Sequence, residues 1–471
     1  MEPGRSSARK DLLIYLAIAL RVVTKHDNSG GRRGETGLEL LSKHSISVGD
    51  SIKITTKDGD GEITGLLMPR YESASDEYIV IKLKSGYNTG IHVGKIKSIT
   101  KMLDKDQAVT SVRTPTVTAK QNSPKVALIS TGGTIASKID YRTGGVHAAL
   151  SADELYASVP DLANHASIEP EVLMSEYSEN LRPEHWTLMA KKVAEKVATG
   201  RYRGIVLSHG TDTMHYTAGA LSFALRKLPV PVVLVGAQRS SDRPSSDAAL
   251  NLLGATIFAT ESKYAGVFVA MHAGTSDDII ACHVGTRVRK NHTSRRDAFE
   301  SIDMTPVALV RNNEIEIQQK QSCQLEQRFS GNHFEVNTKF DDRVILLKYY
   351  PGFDPTLIEH AINVGYRAIV LEGTGLGHVG RACFPALKKA VDAGLMVCMT
   401  SQCIWGRVRM TVYDTGRDLL DIGVIPLSDM ISETATVKAM WALANSEDIE
   451  VAKKIMQENL ANEISQVLPI S

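Results

Sequence analysis

The chain has 471 residues, 43% of them hydrophobic and 23% charged, with a net charge of +1. That length holds about three domains of ordinary size, and the neutral balance excludes an electrostatic footprint for bulk nucleic-acid or membrane binding. Its five cysteines, Cys282, Cys323, Cys383, Cys398 and Cys403, are odd in number and lack CxxC spacing. They argue against a zinc ribbon or a disulfide framework and for a reducing, cytoplasmic compartment.

Leu12–Leu20 follows Arg5, Arg9 and Lys10 and loosely resembles the apolar part of a signal peptide. Arg21 and Lys25 close it short of the ~20 apolar residues that span a bilayer, and no small-residue cleavage site follows. Residues 1–43 are therefore read as tail and linker, with a mis-annotated start as an alternative for 1–40; 26–38 are Gly-rich and polar. From residue 44 to 102 the pattern becomes short β: 50–56, 61–69, 77–83 and 91–99 alternate or carry β-branched residues, punctuated by Asp58-Gly59, Pro69 and Ser85-Gly86. A small N-terminal β-barrel is expected there, equally suited to docking, RNA binding or a structural role.

Residues 103–123 read as a second linker. From residue 124 to 310 apolar strands alternate with amphipathic helices, the pattern of an α/β fold with a doubly wound parallel sheet. Strands are expected at 126–130, 204–208, 230–235 and 266–271, and helices at 152–158, 183–199 and 214–227. The polar, Gln-rich stretch 311–342 is read as an inter-domain linker. A smaller C-terminal α/β domain, 343–471, closes with one long helical stretch from Ser432 to Asn462.

Two threonine turns carry the chemistry. Thr131-Gly-Gly-Thr-Ile-Ala-Ser137 follows the strand 126–130, and His209-Gly-Thr-Asp-Thr213 follows the strand 204–208. Hydroxyls and free N–H groups at a strand-to-helix turn suit a developing oxyanion. Thr134 is a candidate nucleophile, though threonine is also a favoured N-cap and needs an activating base. Asp212 is a candidate orienting carboxylate or a first-turn acid. Lys290, in a basic run from Arg287 to Arg296, is a candidate base or a solvated cation. As a base it must be neutral, which burial favours and a neighbouring Asp212 opposes.

Other signals are weaker. Gly375-Leu-Gly377-His-Val-Gly380 matches GxGxxG, yet the following strand ends in Met399-Thr-Ser-Gln402 without the acid that would hold a ribose. A tight turn lining a small-ligand cleft fits better. No Walker loop occurs, and the histidines show no metal-binding spacing.

Thr131-Gly-Gly-Thr-Ile-Ala, His209-Gly-Thr-Asp-Thr and Val288-Arg-Lys290 together resemble the bacterial-type L-asparaginase/glutaminase family over about residues 124–460. The resemblance implies Thr134 as nucleophile and Thr211, Asp212 and Lys290 as a second Thr-Asp-Lys relay. It implies that Ser175 and Glu176 grip the substrate's α-amino and α-carboxyl groups, that Gly236-Ala237 meets its side-chain amide, and that Tyr141 belongs to a lid. Two departures, the domain near 46–102 and Gly373-Thr-Gly-Leu-Gly-His378 in place of a Gly-Asn-Gly-Asn turn, together with the stretches 401–407 and 413–418, resemble the D-subunit branch of archaeal glutamyl-tRNA(Gln) amidotransferases. That branch implies a glutaminase without metal or cofactor of its own. Its ammonia passes to an E subunit that binds ATP and Mg²⁺ and amidates Glu-tRNA(Gln), on an asparaginase-like homodimer. A free-standing L-asparaginase/glutaminase is the alternative.

Overall fold

The computed structural model describes residues 36–57, 62–68, 77–83, 88–102, 122–133, 137–139, 146–148, 155–156, 159–239, 245–318, 325–329 and 333–465. Thr134, Tyr141 and the apolar segment Leu12–Leu20 lie outside them. No helix among the described residues is long and apolar enough to cross a membrane.

The chain enters its first domain through α1 (Gly37–Lys43). Thr36 Oγ1 accepts the Glu39 N–H while the Glu39 carboxylate accepts the Thr36 N–H, a capping box that fixes the first turn. Leu40 then joins the barrel core. The expected tail thus ends in a helix, and the Thr-x-x-Glu signal for it was present in the sequence. Five strands follow: β1 (Ser51–Thr56), β2 (Glu62–Leu67), β3 (Tyr78–Lys82), β4 (Asn88–His92) and β5 (Ile96–Lys101). All pair antiparallel in the order β4-β3-β2-β1-β5. The expected strand 91–99 is two strands, divided by a 3-10 turn at Val93–Lys95 whose Gly94 N–H is taken by His92 Nδ1. Flat, the outer strands β4 and β5 would lie about 19 Å apart at ~4.8 Å per strand. Four chain steps from His92 to Ile96 reach at most about 14 Å, so the sheet must roll up around Ile52, Ile54, Ile81 and Ile99.

The central domain is built on β6 (Lys125–Ser130), the hairpin β7 (Ser137–Ile139) and β8 (Val146–Ala148), then α2 (Leu162–His165), β9 (Ser167–Val172), α3 (Pro183–Ala198), β10 (Gly204–Ser208), α4 (Met214–Ala224), β11 (Leu225–Arg226), β12 (Pro231–Val235), α5 (Ala248–Glu261) and β13 (Gly266–His272). Strands β13, β12, β10, β6 and β9 run parallel. Their side chains divide by alternation between two cores. Val126, Leu128, Val206 and Val233 pack under α5, whereas Ala127, Ile129, Ile205 and Leu207 pack under α3 and α4. Strands buried on both faces read as unbroken apolar runs, which is why they were legible. The expected helix 214–227 stops at Ala224, where the chain turns into β11 and pairs with β19 (Glu335–Val336).

The sheet is mixed rather than wholly parallel. Strands β14 (Ile279–Val284), β17 (Ala308–Arg311) and β18 (Glu314–Ile317) extend one edge antiparallel. Asn312 and Asn313 make the last hairpin with φ of 50° and 64°, the geometry of a two-residue primed turn. The start of the segment read as a linker is therefore sheet. Between these strands a small hairpin, β15 (Val288–Lys290) and β16 (Phe299–Ser301), projects the end that carries Lys290.

The C-terminal domain has four parallel strands: β20 (Val344–Lys348), β21 (Ala368–Gly373), β22 (Met396–Ser401) and β23 (Ile425–Pro426). Helices α6 (Thr356–Asn363), α7 (Phe384–Asp392) and α8 (Asp414–Ile422) are joined by α9 (Ser432–Asn445) and α10 (Ile449–Gln457). The long helix expected to Asn462 breaks at Asp448, whose carboxylate accepts the Glu450 and Val451 N–H groups and caps a new helix. The two domains share a core: Ala220, Phe223 and Trp186 meet Ala435, Val437 and Trp441.

After α10 the chain runs back over that core. Glu463 reaches Lys438 at 2.5 Å with neither side chain exposed, and its carboxylate also accepts the Leu460 and Ala461 N–H groups. Burial holds the Lys438 ammonium below the usual lysine range, opposed by Glu463. Glu463→Gln leaves that cation without its counter-charge and should destabilise the protein by about 3–5 kcal/mol. Thermal unfolding of this variant beside Lys438→Met/Glu463→Gln should show the double variant recovering part of the loss.

Candidate active site

Strands β6 and β10 are neighbours in register, Ser130 beside Ser208. After β6 the chain departs toward β9 on one side; after β10 it departs toward β12 on the other. The strand order therefore reverses between them, and ligands of open α/β sheets bind at such a crevice. Both threonine turns emerge there. The hydroxyl of Thr131 donates to the Ser208 carbonyl at 2.8 Å, tying the first turn to the end of β10.

Close backbone contact assembles the loops. A Cβ placed on Gly132 would lie 2.1 Å from the Glu176 carbonyl, and one on Gly133 would lie 3.1 Å from the His209 carbonyl. The first turn is thus wedged between the loop after β9 and the loop after β10. At Gly236 a Cβ would come within 2.8 Å of both the His209 carbonyl and Thr211 Cγ2, so the loop after β12 rests on the second threonine turn. Four strand ends converge on one point.

Lys290 arrives from β15, outside the parallel core of the sheet. Its ammonium donates to Thr211 Oγ1 at 3.0 Å and Asp212 Oδ1 at 2.6 Å. The lysine side chain is 8% exposed and that of Asp212 is 68% exposed, so the pair has one dry and one wet end. Ser175 and Glu176 are exposed, next to the first turn. Ala237 is half-buried beside Gly236. The structure brings Thr211, Asp212 and Lys290 together, with Glu176 and Ala237 on loops that touch the same turns. Thr134 follows Gly133 directly in the sequence but lies outside the described residues, as does Tyr141.

His209, inside the second turn, is a core residue. Trp186 Nε1 donates to Thr217 Oγ1, which is 2.9 Å from His209 Nε2, while His209 Nδ1 lies 2.6 Å from the Gly210 carbonyl. The hydroxyl donates to the ring, and the ring's other nitrogen donates to the carbonyl. Both ring nitrogens are satisfied, which leaves His209 no proton role. The Gly375–Gly380 turn closes on itself through Thr374 and His378. A Cβ on Gly377 would overlap Val408 Cγ1, so that glycine serves packing.

Four residues to which the sequence alone assigned no role of their own turn out to hold the site. Arg287, 1% exposed, donates to the Asn462 carbonyl, Ser465 Oγ and Asp429, and so anchors the strand that carries Lys290. Asp247 accepts the Gln238 and Arg239 N–H groups. Asn251 donates to the Gly236 carbonyl and to Asp247, and His272 Nδ1 lies 2.6 Å from Asn251 Oδ1. The i, i+4 spacing of Asp247 and Asn251 at the start of a helix was the available signal.

Residues 125–323 match the family model for the asparaginase N-terminal domain, and residues 343–456 that for the glutaminase/asparaginase C-terminal domain. The L-asparaginase of Thermococcus kodakarensis superposes with a TM-score of 0.64 at 34% identity, covering 73% of this chain and 100% of its own. For L-asparaginase I of Vibrio cholerae the figures are 0.63, 28%, 73% and 99%. Fold and loop arrangement define the chain as asparaginase/glutaminase class. Residues 46–102 match the model for the GatD N-terminal domain. The glutamyl-tRNA(Gln) amidotransferase D subunit of Pyrococcus abyssi is 47% identical over 431 residues, 91% of this chain and 97% of that protein. The D subunit of Sulfolobus acidocaldarius is 46% identical over 91% and 94%. The chain belongs to the family of glutamyl-tRNA(Gln) amidotransferase D subunits.

Burial holds three histidines near the site and its sheet, His209, His215 and His283, down to about 4. In the unfolded chain each titrates near 6.5. The unfolded state therefore takes up protons that the folded state refuses, so stability complete above about pH 6.5 is lost as pH falls toward 4, by about 1.4 kcal/mol per group per pH unit. Denaturant midpoints measured across this interval should fall steeply, and less steeply for His283→Gln.

Proposed function

We propose that this chain is the glutamine-hydrolysing subunit of a tRNA-dependent amidotransferase that converts Glu-tRNA(Gln) to Gln-tRNA(Gln). The observation that carries the chemistry is the contact of Lys290 with both Thr211 and Asp212 at the reversal point where the Gly132–Gly133 turn is wedged. Thr134 Oγ attacks the side-chain carbonyl of glutamine. A C–O bond forms, the C–N bond breaks, and ammonia leaves with the proton of the threonine hydroxyl. N–H groups of the Gly-rich turn stabilise the oxyanion. Water positioned by Thr211, Asp212 and Lys290 then attacks the ester, releasing glutamate and restoring the hydroxyl. Ser175 and Glu176 grip the α-amino and α-carboxyl groups, and Gly236-Ala237 meets the amide.

A D subunit is by its name one part of a larger assembly. The sequence has no phosphate-binding Walker loop, which supports placing ATP and Mg²⁺ on an E subunit that also receives the ammonia and holds the Glu-tRNA(Gln). An asparaginase-like homodimer in the cytoplasm is the corresponding state of this chain. Free-standing asparagine hydrolysis is disfavoured by the rolled barrel, whose residues match the GatD N-terminal model.

Thr134→Ala and Lys290→Met should each lower glutamine hydrolysis by several orders of magnitude, by analogy with other nucleophile and base removals. In the assembled complex, Thr134→Ala should abolish tRNA amidation from glutamine and retain it from ammonium salts. Near-normal glutamine use by the Thr134 variant would defeat the assignment.

A further inference from the structure

The barrel touches the catalytic domain at a telling place. The Asn88 carbonyl, at the start of β4, accepts the Ser245 N–H at 2.5 Å. Ser245 sits at φ 56°, the left-handed region that a serine adopts only when its surroundings hold it there. Those surroundings are specific: the N–H is held by the barrel, and the carbonyl accepts Arg296 Nη2 at 2.5 Å.

From Ser245 a line of contacts runs to the substrate turn, with one link, Asp277 to His272, that is a hydrogen bond beside the His272–Asn251 bond only when the ring carries both protons, which burial opposes. Arg296 Nη1 donates to Asp277. Asp277 Oδ1 lies 3.2 Å from His272 Nε2, and His272 Nδ1 lies 2.6 Å from Asn251 Oδ1. Asn251 Nδ2 donates to the Gly236 carbonyl and to Asp247 Oδ2, both at 2.9 Å. Asp247 then holds the Gln238 and Arg239 N–H groups at 3.0 and 2.9 Å. A shorter staple runs beside it, Ser246 Oγ donating to the Arg239 carbonyl at 2.8 Å. Asp247, Asn251 and His272 have no exposed surface, so water cannot replace a lost partner without opening the core.

We propose that the N-terminal barrel is a positioning element of the amidase site: by fixing Ser245 it fixes, through Arg296, Asp277, His272, Asn251 and Asp247, the backbone of the Gly236–Ala237 turn. This rests on the reading of that turn as the one that meets the side-chain amide. The barrel then sets how well substrate is held, and whatever moves the barrel in the assembled enzyme changes glutamine binding at a distance. The warrant is a line of contacts, partly exposed at Arg296 and Asp277 and buried from His272 to Asp247, beside the shorter link through Ser246, both ending on backbone atoms where small displacements matter for positioning.

The test uses the full-length chain and two readouts, amide hydrogen exchange over residues 236–239 and the kinetics of glutamine hydrolysis. Three variants break the chain at different points. Ile54→Asp puts a carboxylate into the barrel core, Ser245→Val disfavours the left-handed backbone, and Arg296→Met removes the middle donor. Each should raise exchange at Gln238 and Arg239 at least tenfold and raise KM several-fold, with kcat changing less. Arg296→Lys should restore most of the protection, and Ser245→Gly should keep it. Unmoved exchange and KM in the Ile54→Asp and Ser245→Val variants would overturn the proposal. Exchange is read independently of turnover: a Thr134→Ala chain that still hydrolysed glutamine would refute the catalytic assignment alone.

Discussion

No side chain fits between Gly132 and the Glu176 carbonyl, and the site depends on that fact. Loops from parallel strands normally stand apart, separated by the side chains that dress them. Here backbone meets backbone, so the turn after β6 is gripped by the loops after β9 and β10. The positions of its N–H groups are set by backbone-to-backbone packing rather than by flexible side chains, which is what electrostatic stabilisation of a transition state demands. Every other element of the site is arranged around this wedge.

Lys290 shows how a second requirement is met. The parallel core supplies hydroxyls and N–H groups, but the cation comes from a hairpin projected by the antiparallel edge. That hairpin is tied down by its neighbours in sequence. Arg287 is bound to the end of the chain and to Asp429, and Arg289 pairs with Glu433 of α9 at 2.7 Å. The C-terminal domain thus places the lysine although it contributes none of the Thr-Asp-Lys atoms. A buried Arg–Asp pair adds little net stability by itself; its value here is that it permits one geometry.

The sequence made the parallel strands and both threonine turns visible because their signals are local. An apolar run of five residues followed by a short glycine-bearing turn needs no knowledge of the rest of the fold. The antiparallel edge was hidden for the opposite reason. Strands β14, β17 and β18 are identified by their pairing with one another, and Glu314–Ile317, although it alternates strictly, is only four residues long and sits between Asn312-Asn313 and a Gln-rich run, so it passed for linker. The break before α10 was legible in Asp448 and was missed because apolar periodicity resumes beyond it. Of the network under Gly236 only the Asp247–Asn251 spacing was legible, since His272 and Asp277 are ordinary polar residues until folding brings them together.

The bonds of Arg287 reach residues 462 and 465, more than 170 positions further along the chain. The seat of Lys290 is therefore completed by residues from the far side of the C-terminal domain, and the catalytic cation is a property of both domains together rather than of the one that carries the two threonine turns.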